Sequence, residues 1–328
     1  MAPPLNEQSY TAEVHRDFIG DVLELFGKSI ENLLYLVADN APVNTRLSDL
    51  LGIPFIGCAS HRFNLACKKY LLTYEQELSK INSLMVTLRN VKQAGKLRTK
   101  TRLCAVPRND TRWSSTYAML KRFFEIQEFI DVNDLALAIN IPSAVEVRDL
   151  KLAMKDLEEF ETVTKLLQEK QRTVAEVRCI FDGILQNYNG MDHYIGKFSD
   201  FVHSPDFENG IVKIILDDFD DLSEDEKIAV EPFRITSSSS TDVSPEKSTS
   251  VALLALKKMK KRNVSLGYAS LDHIPPTSNI VERLFSSARL VLTDYRKSMD
   301  PYTFECLMFL KVNRSDWDIN LVSNVIGK

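Results

Sequence analysis

Cys58 and His61 stand three positions apart, and a Cys-x-x-His pair is half of what a zinc ion needs. A structural zinc site takes four Cys or His ligands at tetrahedral angles. No second pair at zinc spacing occurs in the 328 residues, so this pair does not organise a metal by itself. Two carboxylates occupy informative settings. Asp39 directly follows the apolar run 33–38 (LLYLVA), which puts an acid at the tip of a strand, or at the cap of the helix after it. Glu282 lies three residues after Asn279, the spacing of a capping box at a helix start. Cations gather in two runs: six with no acid between residues 89 and 102, and KKMKKR over 257–262. Each run reads either as a solvated face or linker or as a surface for a polyanion. The second also has the composition of a nuclear localisation signal. Seven acids between residues 217 and 226 oppose them.

The elements that must hold these residues follow from periodicity. Residues 11–26 place Val14, Phe18, Val22 and Leu25 on one helical face, with Gly27 as the stop. The run 33–38 predicts a buried strand. A short helix over 43–51, a second strand at 55–58 and a helix from His61 past Leu71 complete a strand-helix-strand-helix order, the pattern of a parallel α/β unit. Helical patterns then continue to about residue 190. Residues 235–250 (ITSSSSTDVSPEKSTS) have the composition of a flexible linker. Beyond them, Ile280, Leu284, Ala288 and Val291 share one helical face. Asp300 and Pro301 read as the N-cap and first-turn proline of another helix. That helix is apolar on nearly every side from Phe304 to Val312, so its side chains belong in a core or against another chain.

Hydrophobic residues make up 44% and charged residues 26%, ordinary values for a soluble globular protein of one or two domains. No apolar run reaches the 18 or so residues of a membrane span, so a membrane partner is not expected. MAPPLNEQSY lacks the basic start and apolar core of a secretory signal. Five scattered cysteines fit reduced thiols in cytosol or nucleus. The net charge of -4 argues against strong affinity of the whole chain for a duplex.

Residues 275–318 carry a denser signal. Ser278, Glu282, Arg283, Phe285 and Ser286, then Arg296, then Leu310, Lys311, Asn313 and Trp317 fall in the order Ser-x-x-x-Glu-Arg-x-Phe-Ser, basic turn, apolar helix, Leu-Lys-x-Asn and Trp. This order resembles the C-terminal dimerisation region of hAT-family DNA transposases. Three further segments are similar to that family: VADNAPVN over 37–44, Cys58 to His61 followed by Asn64 and Leu65, and Thr111 to Tyr117. Weaker similarity covers 160–182. The resemblance spans residues 11–318.

The resemblance implies a helix-rich α/β fold: a partial ribonuclease H-like core over 11–135, an all-helical insertion over 136–234, the linker 235–250 and a dimerisation region over 251–328. In that family three carboxylates hold two Mg²⁺ or Mn²⁺ ions that activate a nucleophile and stabilise a leaving oxygen at a phosphodiester. Asp39 matches the second carboxylate and Glu282 the third, as catalytic and metal-holding positions that would converge. The first belongs on strands preceding the helix that begins here near Thr11, and ten residues are too few for three strands. The family's N-terminal zinc finger has no counterpart here either. The resemblance thus implies an N-terminally truncated, catalytically inactive transposase-derived protein without a cofactor. The alternative is an active metal-dependent transposase whose N-terminus lies outside this sequence. Cys58, His61, Arg112 and Trp113 match family positions near DNA. Phe285, Phe304, Met308, Phe309 and Leu310 match the dimerisation surface. The implied partners are a second copy or a related transposase, and DNA, in the nucleus.

Overall fold

A computed structural model describes residues 10–235, 267–296 and 298–326. The expected linker (apart from Ile235) and the cationic run 257–262, which carries the nuclear reading, lie outside the described residues. The fold is helix-rich with few strands, and it divides into two compact units, Met1–Phe55 with Thr277–Lys328, and Ile56–Pro276.

In the first unit, α1 (Ala12–Leu25) starts at Thr11, whose hydroxyl oxygen accepts the Val14 N–H at 3.4 Å. It stops where Gly27 takes φ +62°. It packs on α2 (Pro42–Leu51), where Ala12 and Leu47 are buried. Pro42 sits in the first turn of α2, and Gly52 closes it in the left-handed conformation. The strand expected over 33–38 is shorter and less buried. Only Leu36–Ala38 forms a strand, β1, and it is half-buried. Residues Ile30–Asn32 coil into a 3₁₀ turn, and the Leu33 N–H closes that turn on the Ile30 carbonyl at 3.0 Å. The Leu33 N–H is therefore used by the turn and not by a sheet partner, and Leu34 is exposed. The Leu36 N–H donates to the Pro54 carbonyl at 2.9 Å. β2 (Phe55–Gly57) is fully buried, and the division between the units falls within it.

The C-terminal part of this unit contains α13 (Asn279–Val291), α14 (Pro301–Val312) and α15 (Ile319–Ile326), with intervening numbers assigned below. Asp300 caps α14 as the sequence predicts, accepting the Tyr302 and Thr303 N–H groups at 2.9 and 3.2 Å, with Pro301 in the first turn. The capping box expected at Asn279 is displaced. Ser278 holds the cap position, Asn279 is already helical and buried, and Glu282 is one residue too far along for the box.

The second unit comprises α3 (Ala59–Leu71), α4 (Glu75–Leu88), α5 (Val91–Arg98), α6 (Trp113–Ile126), α7 (Leu135–Ala138), α8 (Ala144–Leu167), α9 (Val174–Asn187), α10 (Asp192–Ile195), α11 (Pro205–Ile215) and α12 (Glu224–Val230). Reciprocal capping boxes start α8 (Ser143 with Glu146), α9 (Thr173 with Glu176) and α12 (Ser223 with Glu226). One apolar cluster runs from Ala59 to Ile195, across the boundary expected at residue 135. Its centre is Phe160 of α8, fully buried. Its ring centroid lies 4.9 to 6.2 Å from those of Tyr188, Tyr70, Phe63 and Trp113, at angles of 70° to 87°. Edge-to-face packing of this kind adds to the burial of the rings. After α12 the chain leaves the described residues and returns beside its own departure point. Ala269 N–H donates to the Phe233 carbonyl at 2.9 Å and Ile235 N–H to the Gly267 carbonyl at 2.7 Å. The returning segment ends with the Pro276 carbonyl accepting the Ala59 N–H at 3.0 Å, which satisfies a donor at the open start of α3.

Candidate functional site

The first turns of α3 gather three of the segments singled out in sequence. Cys58 occupies the N-cap position and is 1% exposed, so its thiol is core. Three residues on, His61 is half-buried. Asn64, one turn further, turns its side-chain oxygen to the backbone of Trp113, accepting that N–H at 3.1 Å. The first residue of α6 is thereby tied to α3. Lys68 donates to the Asp110 carbonyl, and the Ser115 hydroxyl donates to the Arg112 carbonyl at 2.9 Å. The turn carrying Arg112 is thus held from both sides. Trp113 is 3% exposed and packs its ring against Tyr117 and Phe160. Of the four residues expected near nucleic acid, Cys58 and Trp113 offer almost no surface. His61 and Arg112 are the ones with side chains a ligand can reach.

Beneath this edge lies a charged cluster that the sequence reading missed. Arg62, between His61 and Phe63, is buried on the inner face of α3. It donates to Glu208 Oε2 at 3.0 Å and to the Tyr194 carbonyl at 2.9 Å. Arg178 of α9 donates to the Ile195 carbonyl at 2.8 Å and approaches Asp182 at 2.7 Å. Both guanidinium groups lie over the Phe181 ring, at 5.8 and 5.6 Å from its centroid. Burial raises the pKa of Glu208, and the neighbouring Arg62 pulls it the other way. A cavity of about 30 Å³ opens here between Arg62, Arg178, Glu208, Asn209 and Pro276. Among the described residues, Glu208 Oε1, Asn209 Nδ2 and Arg178 Nε are buried without a hydrogen-bond partner and border this space. Residues 62 and 208 are far apart in sequence, so no local spacing announces the pair. The available signal was an arginine flanked by Ala59, Phe63 and Ala66 on an apolar face.

The two candidate metal carboxylates are exposed and belong to the first unit. Asp39 follows β1 directly. Its Oδ1 accepts the Asn44 side-chain amide at 2.7 Å and the Ala41 N–H at 3.3 Å. That is a short-range turn leading into α2, and it uses one carboxylate oxygen. Glu282 lies in the first turn of α13. Among the described residues, no group of three or more His, Cys, Asp or Glu side chains stands close enough to hold a metal ion.

The C-terminal helices present the largest departure from ordinary burial. Of the five residues expected to dimerise, only Met308 is buried, at 8% exposure, and Phe304 is half-buried. Phe285 is 68% exposed, Phe309 66% and Leu310 44%. Ile280, Leu290, Ile319 and Val325 are more than half exposed as well. Trp317 is half-buried and donates its indole N–H to the Leu310 carbonyl at 2.8 Å, which fixes the turn out of α14. No helix among the described residues is long and apolar enough to cross a membrane.

No family model matches the chain, and neither does any curated protein.

Proposed function

We propose that this chain is a transposase-derived protein of the hAT type that pairs with a second copy, or with a related transposase, through α13 and α14, and that it acts in the nucleus on DNA. The observation that carries the reading is the exposed apolar surface of these helices, on the same residues whose order resembles the family's dimerisation region. Completely burying a Phe or Leu side chain contributes roughly 1.5 to 3 kcal/mol. Phe285, Phe309, Leu310, Ile280 and Leu284 together therefore reach the range of association costs, roughly 4 to 15 kcal/mol. A partial ribonuclease H-like arrangement of β1, β2 and the surrounding helices is part of the same reading.

DNA contact is assigned to His61 and Arg112, the accessible members of the α3–α6 edge. Asp39 and Glu282 fill two of the family's three carboxylate positions in these 328 residues. Two carboxylates alone hold Mg²⁺ weakly, leaving it most of its water, so this polypeptide is proposed to have no strand-transfer activity of its own. Light scattering on the purified chain tests the central claim. A dimer at micromolar concentration, dissociated by Phe309→Asp without loss of helical circular dichroism, is expected. A wild-type monomer at that concentration sinks the reading.

A further inference from the structure

The cationic run between residues 89 and 102 lies in the second unit, on the end of α4, on α5 and in the loop after it. All six of its cationic residues are exposed. Two are engaged locally: Lys96 with Asp134, and Lys100 with the Phe129 carbonyl. Arg89, Lys92, Arg98 and Arg102 have no acidic partner and no side-chain hydrogen bond among the described residues. In a chain of net charge -4, four unneutralised cations within 14 residues concentrate positive charge along this exposed stretch. Lys96 and Arg98 also complement the C-terminal end of α5, but that accounts for neither Arg89, Lys92 nor Arg102.

The same stretch has a shape. A groove of about 320 Å³ opens within this stretch, with Arg89 and Arg98 at its edge, the half-buried Leu103 on its wall and the buried Leu88 and Leu97 at its base. We propose that this stretch binds a nucleic-acid strand, with phosphates on Arg89, Lys92, Arg98 and Arg102 and a sugar or base over Leu103. Three of the four are arginines, whose planar forks fit phosphate oxygens and whose faces stack on bases. An acidic peptide would match the charge but would not use the stacking. The inference rests on the charge and form of this stretch alone. It stands apart from the Arg112 edge and from any association of the C-terminal helices.

The test is fluorescence anisotropy of the full chain with a short labelled single strand and the corresponding duplex, across a salt series. Four phosphate contacts give a slope of log affinity on log salt of roughly -3 on a single strand and somewhat steeper on a duplex. Affinity for the single strand then falls roughly 50-fold between 50 and 200 mM salt. The variant carrying Arg89→Gln, Lys92→Gln, Arg98→Gln and Arg102→Gln changes only exposed side chains and should keep its circular dichroism. Its slope should collapse toward zero. The tighter binder of the two probes at 50 mM salt identifies the form of strand the groove takes. Undiminished binding by the variant overturns the proposal, as does an absence of binding by the wild type at 50 mM salt. So does a loss produced by Arg112→Gln alone but not by the fourfold variant. Equal competition by polyglutamate would reassign the stretch to an acidic protein.

Discussion

The side-chain oxygen of Asn64 accepts the backbone N–H of Trp113 at 3.1 Å, so one helix supplies the cap of another 49 residues away. Two segments that look unrelated in sequence become one edge through this bond. Its removal should be felt on α6 more than on α3. Loss of an N-cap partner costs about 1 kcal/mol, so Asn64→Ala should lower the urea midpoint measurably. Amide exchange should quicken in the first turn of α6. Unchanged protection of the Trp113 and Ser114 amides would show that water replaces the side chain.

Phe160 meets four aromatic rings at the centre of the Ala59–Ile195 cluster. Phe160→Ala should cost about 3 to 5 kcal/mol, the range for emptying a packed aromatic site. Phe160→Leu should recover a large part of that loss. Denaturant titration of the two variants checks the order, and equal stability of both would mean that the rings close over the gap.

Glu208 gives the second unit a pH dependence whose sign is fixed by burial. Its folded pKa lies above the unfolded value near 4.5, so the fold favours the protonated form. The corresponding stability is fully present below about pH 4.5 and is lost as pH rises through the folded pKa. Compared with Glu208→Gln, which has no titration there, the wild type should therefore lose relative stability as the pH rises from about 4.5. Chemical denaturation of both proteins along that series reads the difference directly. A wild-type advantage that grows with pH would mean that Arg62 outweighs desolvation.

Met308 and Phe309 are neighbours on α14 with opposite environments, 8% and 66% exposed. Met308→Asp should destabilise the helix pair in the folded protomer, because it places a charge where the methionine is covered. Phe309→Asp should leave the protomer's unfolding curve within about 0.5 kcal/mol and change only its association. If the two variants behave alike in thermal melts and in light scattering, the surface around Phe309 is covered in solution by something within the same chain.

Asp39 spends one oxygen on the turn into α2. Asp39→Ala should accordingly alter local stability and leave DNA intact with or without metal. Mn²⁺-dependent nicking by the purified wild type, lost in this variant, would instead establish a working metal centre.

Much of the local structure was legible. Thr11, Gly27, Asp300 and Pro301 act through backbone geometry within a few residues, and each ends or starts its helix where such chemistry puts it. Misreadings arose where two local programmes compete. The apolar run 33–38 gives no sign that Leu33 is drawn back into the 3₁₀ turn before it. The Asn279 and Glu282 spacing is correct for a box, yet the helix starts one residue earlier, with Ser278 at the cap and Asn279 buried in its first turn. The apolar helix α14 was readable as needing cover, but its pattern is blind to whether that cover comes from its own chain. Least legible was the Arg62–Glu208 pair, because nothing within one turn of either residue encodes a partner 146 positions away.

The bond from Ala59 N–H to the Pro276 carbonyl has a consequence for synthesis. The start of α3 is completed by a residue 217 positions downstream (276 minus 59). On a ribosome that delivers roughly 5 to 20 residues per second, α3 emerges many seconds before the segment that closes it. During that interval the α3–α6 edge exists without its last neighbour, accessible to chaperones and to any early ligand. The native form of this edge is a property of the finished polypeptide, and a nascent chain stalled short of residue 276 should not display it.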